Sequence, residues 1–210
     1  MPKIKTVIFD ISGVLIELGG MPDFVKWTGK SPEEIGSLWL ESESAREFES
    51  GKTDFTSFHK RFQKEWSIQI SNRDLKMAFQ SWVREPLPGA SKLVLKLHGL
   101  AQIACLSNTN EIQWPVVCES LEMDKLFPKQ FASYKLGMVK PDREIFDYTL
   151  SELNASPSST LFFDDSQLNV DAARSVGIHA VKVKGPNDIN EALHEYGIFG
   201  TKAESGSEGD

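Results

Sequence analysis

The sequence predicts an α/β fold, with a Rossmann-like parallel sheet core and an inserted, all-helical cap. Two observations lead to this prediction. Short apolar runs recur along the 210 residues, and helical patterns separate the later runs, as in successive βαβ units. After the first run, a long stretch shows helical periodicity and no strand signal.

The predicted strands are short runs rich in β-branched and aromatic residues, which is typical of strands buried on both faces. They lie at 6–9 (TVIF), 101–107 (AQIACLS), 160–165 (TLFFDD) and 179–183 (HAVKV). The first residues of FASYKLGMV, from Phe131, are a candidate for a further short strand.

Helices are predicted between these strands, at 91–99, 142–154 and 167–177. Each segment places its apolar residues on one face. The first and third end at glycine, a common helix stop signal.

The stretch 17–87 is predicted to be helical throughout. Ser31-Pro32-Glu33-Glu34 is a typical helix start, and EPLPG at 85–89 marks the return to the sheet. We therefore expect a discontinuous core (1–16 and 88–200), a helical cap (17–87) and a disordered tail (201–210), since the tail has almost nothing to bury.

Composition limits the possible partners and location. A net charge of −7 argues against nucleic acid or anionic membrane as the main partner. Asp10 interrupts the only early apolar run, which argues against a signal peptide. No run reaches the ~18 apolar residues of a membrane span. Two cysteines, Cys105 and Cys118, form no metal or disulfide pattern. We expect a cytoplasmic protein, monomeric or homodimeric.

Polar residues stand at or just past the ends of four predicted strands. They are Asp10, the run Ser107-Asn108-Thr109, Lys140 and the Asp164-Asp165 pair. Taken singly, each is more often a turn former, a helix cap or a solvated lysine. Because the carboxyl ends of strands in a doubly wound sheet face one crevice, their ordered occurrence favours a shared site.

Such a set suits phosphoryl transfer. A carboxylate can attack phosphorus directly, while a cation and hydrogen-bond donors neutralise charge on the phosphoryl oxygens. Mg²⁺ prefers one or two protein carboxylates together with water and phosphate oxygens, which Asp10 and Asp165 can supply. Lys140 can hold the phosphate as a point charge.

Four motifs together resemble those of the haloacid dehalogenase superfamily of hydrolases. They are VIFDISGVL, ACLSNTN, LGMVKPDREIF and LFFDDSQLNVDAARSVGIHAV. The helical insert lies where subfamily I members of this superfamily carry a C1 cap. The motifs are most similar to the sugar-phosphate phosphatase branch typified by α-D-glucose-1-phosphate phosphatase.

The resemblance implies a role for each matching residue. Asp10 would be the nucleophile, Ser107 the phosphate-binding hydroxyl, Asn108 an additional donor and Lys140 the charge stabiliser. The expected cofactor is Mg²⁺, and the expected partner is a small phosphorylated metabolite.

The metal ligands implied by the resemblance are Asp10, Asp165 and the backbone carbonyl of Ser12. Asp164 would support the site or serve as an alternate ligand, because an adjacent acidic pair does not say which member binds. Many phosphatases of the superfamily carry an aspartate two residues after the nucleophile, as general acid and base. Ser12 stands there instead, and a serine hydroxyl is a poor proton donor near neutral pH.

The function that follows is Mg²⁺-dependent hydrolysis of a phosphomonoester, a sugar phosphate being the example that the branch suggests. Two alternatives stay open. A 2-haloacid dehalogenase would use the same Asp10 to attack carbon, although that branch lacks an acidic pair such as Asp164-Asp165. Ser12 also leaves open a weakly active or inactive scaffold that binds phosphate or a partner.

The cap offers further candidates. His59 could replace the missing acid, but a partly exposed helix histidine is the more common case. Arg46 and Lys52 could contact substrate, although a solvated helix face is favoured. Among the tryptophans, Trp114 is predicted to line the site. Those of the cap are predicted to be core residues, namely Trp27, Trp39, Trp66 and Trp82.

Overall fold

A computed structural model describes residues 3–199 of the chain. The strands within this range are β1 (Thr6–Phe9), β2 (Ile16–Leu18), β3 (Val83–Pro86), β4 (Gln102–Ser107), β5 (Lys129–Ala132), β6 (Thr160–Asp164) and β7 (His179–Lys182).

The α-helices of the same range are α1 (Met21–Thr28), α2 (Pro32–Glu41), α3 (Glu43–Glu49), α4 (Phe55–Trp66), α5 (Asn72–Trp82), α6 (Ala90–Lys96), α7 (Trp114–Ser120), α8 (Met123–Leu126), α9 (Ser133–Leu136), α10 (Arg143–Glu152), α11 (Gln167–Ser175) and α12 (Pro186–Glu195). None of them is long and apolar enough to cross a membrane. The predicted disordered tail lies outside the described residues.

The main sheet has five parallel strands in the order β5-β4-β1-β6-β7. The predicted α/β class is therefore confirmed. β1 lies at the centre, and all four of its residues are buried. Its register pairs Phe9 with Cys105 on one side and with Phe163 on the other. The carboxyl ends of these three strands consequently reach the same edge of the sheet.

Helices cover both faces of this sheet. On one face, Val7 and Phe9 of β1 belong to a core that includes side chains of α6, α7 and α12. On the other face, Ile8 packs with side chains of α10 and α11, including Ile145 and Val170. Because both faces are buried, the strands read in the sequence as continuous apolar runs rather than alternating ones.

Helices α1 to α5 enclose a separate aromatic core, which Ile112 of the sheet domain joins. Ser31 caps α2 as expected, accepting a hydrogen bond from the Glu34 N–H while the Glu34 carboxylate accepts one from the Ser31 N–H. The helical pattern does not continue unbroken into α3. Ser42 ends α2 and caps α3, accepting from Ala45 N at 3.1 Å.

The expectation that 17–87 contains no strand is wrong. Antiparallel strands β2 and β3 pair Leu18 with Val83 and Ile16 with Pro86, forming a ribbon where the chain enters and leaves the cap. These strands have three and four residues, which is too short for an alternating pattern to stand out. Their pairing joins distant parts of the chain, so local sequence gives no signal for it.

Candidate active site

Three carboxylates meet at the carboxyl edge of the sheet. Asp10 directly follows β1, Asp164 ends β6, and Asp165 comes next. One oxygen from each lies within 4.8 Å of the others. The backbone N–H of Asp10 donates to the Phe163 carbonyl at 2.8 Å, which extends the pairing of β1 with β6 to the site. The motif with Asp10 and the motif with Asp164-Asp165 therefore converge, as predicted.

Lys140 is the cation of this group, and its side chain is almost fully buried. Its Nζ lies 2.8 Å from Asp10 Oδ1 and 2.7 Å from Asp164 Oδ2. Burial acts to lower the pKa of the ammonium, but the two carboxylates outweigh that effect and raise the pKa above its usual range. Lys140 therefore stays charged.

Burial raises the pKa of Asp10 to about 7 in the absence of metal, with Lys140 opposing the rise and Asp164 adding to it. One ammonium faces three carboxylates here, so the group carries an excess of negative charge. A divalent cation among these oxygens would balance that excess. Carboxylate oxygens suit Mg²⁺, which commonly binds one or two of them together with water and phosphate oxygens.

Asp164 and Asp165 lie in different environments. Both oxygens of Asp164 accept hydrogen bonds from the Asn169 amide, and Oδ1 also accepts from Ser166 N at 2.8 Å. Asp165 is exposed, and its carboxylate lies against Gly13. A Cβ added at Gly13, where φ is +78°, would stand 2.3 Å from Asp165 Oδ2. Asp165 is therefore the member with the more accessible oxygens.

Asn108 holds the main chain of Lys140 from both sides. Its Nδ2 donates to the Lys140 carbonyl at 2.9 Å, and its Oδ1 accepts from the Lys140 N–H at 2.8 Å. Sequence reasoning predicted a phosphate donor here and missed this positioning contact. The second amide hydrogen is left for the cavity that Asn108 lines. Ser107 is buried at the end of β4 and does not line that cavity.

The cavity has a volume of about 570 Å³ and contains Asp10, Lys140 and Asp165 in its lining. Ser12 lines it as well. From the cap, the side chains that reach it include Trp39, Arg46 and Glu49. Arg46 is exposed, as favoured, but it also borders the site and forms an ion pair with Asp142 of the core.

Glu49, the last residue of α3, was missed by sequence reasoning. Its carbonyl accepts a 2.6 Å hydrogen bond from Ser133 Oγ, which itself accepts from Thr109 N at 2.9 Å. Gly51 permits this approach, because a Cβ there would lie 2.0 Å from the Tyr134 carbonyl oxygen. A glycine two residues after the end of α3 was the available signal. These contacts place the half-buried Glu49 against the loop that follows β4.

Burial raises the pKa of the Glu49 carboxyl to about 7, against the opposing effects of Lys140, the Trp39 side chain and Arg46. Near neutral pH this group therefore exists in both its protonated and its ionised form. A carboxyl in that state can donate a proton and take one back.

Two other candidates lie elsewhere. Trp114 is buried in the sheet core and does not line the cavity, so its predicted place in the site is wrong. His59 lies inside the cap, where Nε2 is 2.8 Å from the Ile70 carbonyl oxygen. Neither lines the cavity, and Lys52 borders a different depression beside Tyr134.

We expect Lys140→Met to destabilise the protein by about 3–5 kcal/mol, because it leaves the buried Asp10 and Asp164 without their cation. Urea unfolding at neutral pH without metal measures the change. Lys60→Met, at an exposed position on α4, is the matched control and should shift stability by less than about 0.5 kcal/mol. Equal stability of the two variants would contradict the paired arrangement.

Comparison with known proteins gives one family match, over residues 4–177, described as haloacid dehalogenase-like hydrolase. A D-ribitol-5-phosphate phosphatase of Bacteroides thetaiotaomicron is 24% identical over 90% of this chain and 97% of its own length. A sesquiterpene phosphatase, astK, of Aspergillus oryzae is 30% identical over 83% of this chain and 87% of its own.

Solved structures agree with these relatives. A HAD family enzyme from Bacteroides thetaiotaomicron superposes with a TM-score of 0.76 at 26% identity, covering 91% of this chain and 98% of that enzyme. A second structure of it, in complex with magnesium and inorganic phosphate, has a TM-score of 0.70 at 26% identity and covers 85% and 93%. The likeness extends over both the sheet and the helical insert.

Proposed function

Because the chain belongs to the haloacid dehalogenase-like hydrolase family, we propose that it is a Mg²⁺-dependent phosphomonoester hydrolase with Asp10 as its nucleophile. The observation that carries the proposal is the buried group in which Lys140 Nζ lies 2.8 Å from Asp10 and 2.7 Å from Asp164. It provides a nucleophile and a fixed positive charge beside one cavity. The relatives named as phosphatases support the reaction class.

Mg²⁺ would be held by Asp10, Asp165 and the main-chain carbonyl of Ser12. Asp164 would stay with Lys140 and Asn169, which already occupy its oxygens. When bound, the metal supplies neutralisation of charge on the phosphoryl oxygens. The excess of carboxylate over ammonium in this group supports the assignment.

In the first step, a carboxylate oxygen of Asp10 attacks phosphorus and forms an aspartyl-phosphate. The bond from phosphorus to the alcohol oxygen breaks, and its electron pair stays on that oxygen. Lys140 and the hydrogen-bond donor Asn108, which both line the cavity, hold the transferring phosphoryl group. Asn108 keeps Lys140 in place during the step through its two bonds to the Lys140 main chain.

The departing oxygen needs a proton, which Ser12 is poorly suited to give. We assign this proton to Glu49, which lines the same cavity and whose carboxyl has a pKa of about 7. In the second step, water attacks phosphorus and gives a proton to the Glu49 carboxylate. The bond between phosphorus and Asp10 breaks, which releases phosphate and restores both carboxyl groups to their starting states.

A 2-haloacid dehalogenase is the second candidate, since the same Asp10 could attack carbon. The grouping of Asp164 and Asp165 with Asp10 favours the metal-dependent phosphatase over it. As for the substrate, the named relatives point to both a sugar alcohol phosphate and a sesquiterpene phosphate. A small phosphorylated metabolite is the class common to these.

Hydrolysis of p-nitrophenyl phosphate tests the proposal, because its good leaving group makes little demand on a proton donor. We expect turnover with Mg²⁺ and loss of turnover with EDTA, restored by added Mg²⁺ and not by Ca²⁺. Phosphate release measures the rate. A folded protein that binds Mg²⁺ without turning over this ester would favour the scaffold alternative, and chloride release from 2-chloropropionate would favour the dehalogenase.

A further inference from the structure

A second cavity of about 330 Å³ opens from the active site towards the cap. The two cavities share Ser12, Glu49 and Asn108 in their linings. A substrate whose phosphate lies at Asp10 can therefore extend its alcohol into the second cavity past Glu49.

The far walls of this second cavity are apolar. Met21 and Phe24 of α1, Ile35 of α2 and Trp82 of α5 line it, together with Trp39. Phe24, Ile35 and Trp82 also belong to the aromatic core of the cap. The cavity is thus an opening into that core, beside the phosphate site.

The polar side chains that line only the second cavity are bonded to other parts of the protein. The Trp82 indole N–H donates to Asp23 at 2.6 Å. The Gln113 amide donates to the Phe79 carbonyl at 3.3 Å, and its oxygen accepts from Asn110. A polyhydroxylated substrate would find few partners here, and a buried hydroxyl without a partner is unfavourable.

Exposed apolar side chains line the two cavities. Among residues 3–199, nine large hydrophobic side chains are exposed, and four of them line the two cavities: Leu18, Met21, Leu40 and Leu168. Exposed apolar residues gathered in one place, rather than scattered, mark a surface that binds an apolar group.

We propose that the substrate is the phosphate monoester of an apolar alcohol, such as a long-chain or isoprenoid alcohol, whose hydrocarbon part occupies the second cavity. This inference rests on the phosphatase function proposed above. The volume holds on the order of ten groups of the size of a water molecule, at about 30 Å³ each. A hydrocarbon chain of about ten carbon atoms would fill this cavity if each carbon takes a comparable volume.

A sugar phosphate is the alternative. The larger cavity also borders Glu17, Arg46 and Lys184, which do not line the second cavity and could bind hydroxyl groups. Arg46 is already paired with Asp142. The two substrate classes would therefore use different walls, and variants of the apolar wall distinguish them.

The experiment compares kcat/KM for ethyl, butyl, hexyl and octyl phosphate, whose leaving groups are nearly identical chemically. We expect a rise of up to about fourfold for each methylene that the cavity buries. Ribitol 5-phosphate is the polar comparison. A flat series, or ribitol 5-phosphate as the better substrate, would overturn the inference while leaving the phosphatase intact.

Met21→Gln is the test variant, because this side chain lines the second cavity but is exposed and lies outside the cap core. The ratio of octyl to ethyl phosphate turnover should fall several-fold in this variant. Met77→Gln, at another exposed methionine, on α5 and outside both cavities, should leave the ratio unchanged. An equal ratio in both variants would overturn the inference. If wild-type protein hydrolyses no ester, p-nitrophenyl phosphate included, the proposed function itself fails and this inference with it.

Discussion

Asp10→Asn should reduce the hydrolysis of p-nitrophenyl phosphate by roughly 10⁴- to 10⁶-fold, the range seen when a catalytic group that acts as part of a unit is removed. The amide has nearly the shape of the carboxylate but cannot attack phosphorus to form the acyl phosphate. Lys140 would keep its 2.7 Å contact with Asp164. The fold should therefore survive, and steady-state phosphate release measures the loss.

The matched control is Asp171→Asn, the same chemical change at an exposed position on α11. It should leave kcat/KM unchanged. Circular dichroism and thermal unfolding of both variants establish that they are folded. Turnover by Asp10→Asn within about tenfold of the wild-type rate would contradict a nucleophilic role and leave Asp10 only as a metal or charge group.

The parts of the site that the sequence could predict are those attached to central strands. Asp10 and Asp164 directly follow buried apolar runs, and β1 and β6 are neighbours in the sheet. Residues at the ends of these neighbouring strands therefore lie close together at one edge of the sheet. The same reasoning brought Ser107 to the end of β4, next to β1.

The parts that could not be predicted depend on contacts between distant segments. Glu49 reaches the cavity only because α2 and α3 break at Ser42 and because Ser133 binds the Glu49 carbonyl. The helical periodicity of the sequence continues across Ser42, so it indicates neither the break nor the contact with Ser133. Trp114 illustrates the opposite error, since nearness in sequence to Ser107 and Asn108 placed it in the site, whereas α7 turns it into the core.

The Glu49 assignment leads to a prediction that depends on the leaving group. Glu49→Gln should slow the hydrolysis of an alkyl phosphate on the order of 10²- to 10⁴-fold, since an alkoxide cannot depart readily without a proton. Hydrolysis of p-nitrophenyl phosphate, whose phenolate departs unaided, should change by less than about threefold in its first step. Glu41→Gln, the same change at an exposed residue ending α2, should affect neither substrate.

The pH dependence of the alkyl phosphate reaction gives an independent test of the same assignment. A proton donor must be protonated in the free enzyme, and the pKa of Glu49 is about 7. In the wild type, kcat/KM should therefore fall about tenfold per pH unit well above this value. Glu49→Gln should be slow but lack this alkaline decline. Because kcat/KM reports the first step, an equal fall in kcat/KM on both esters, with the decline kept, would contradict the assignment. Glu49 would then only position the cap, through the carbonyl that binds Ser133, and the proton would come from another group.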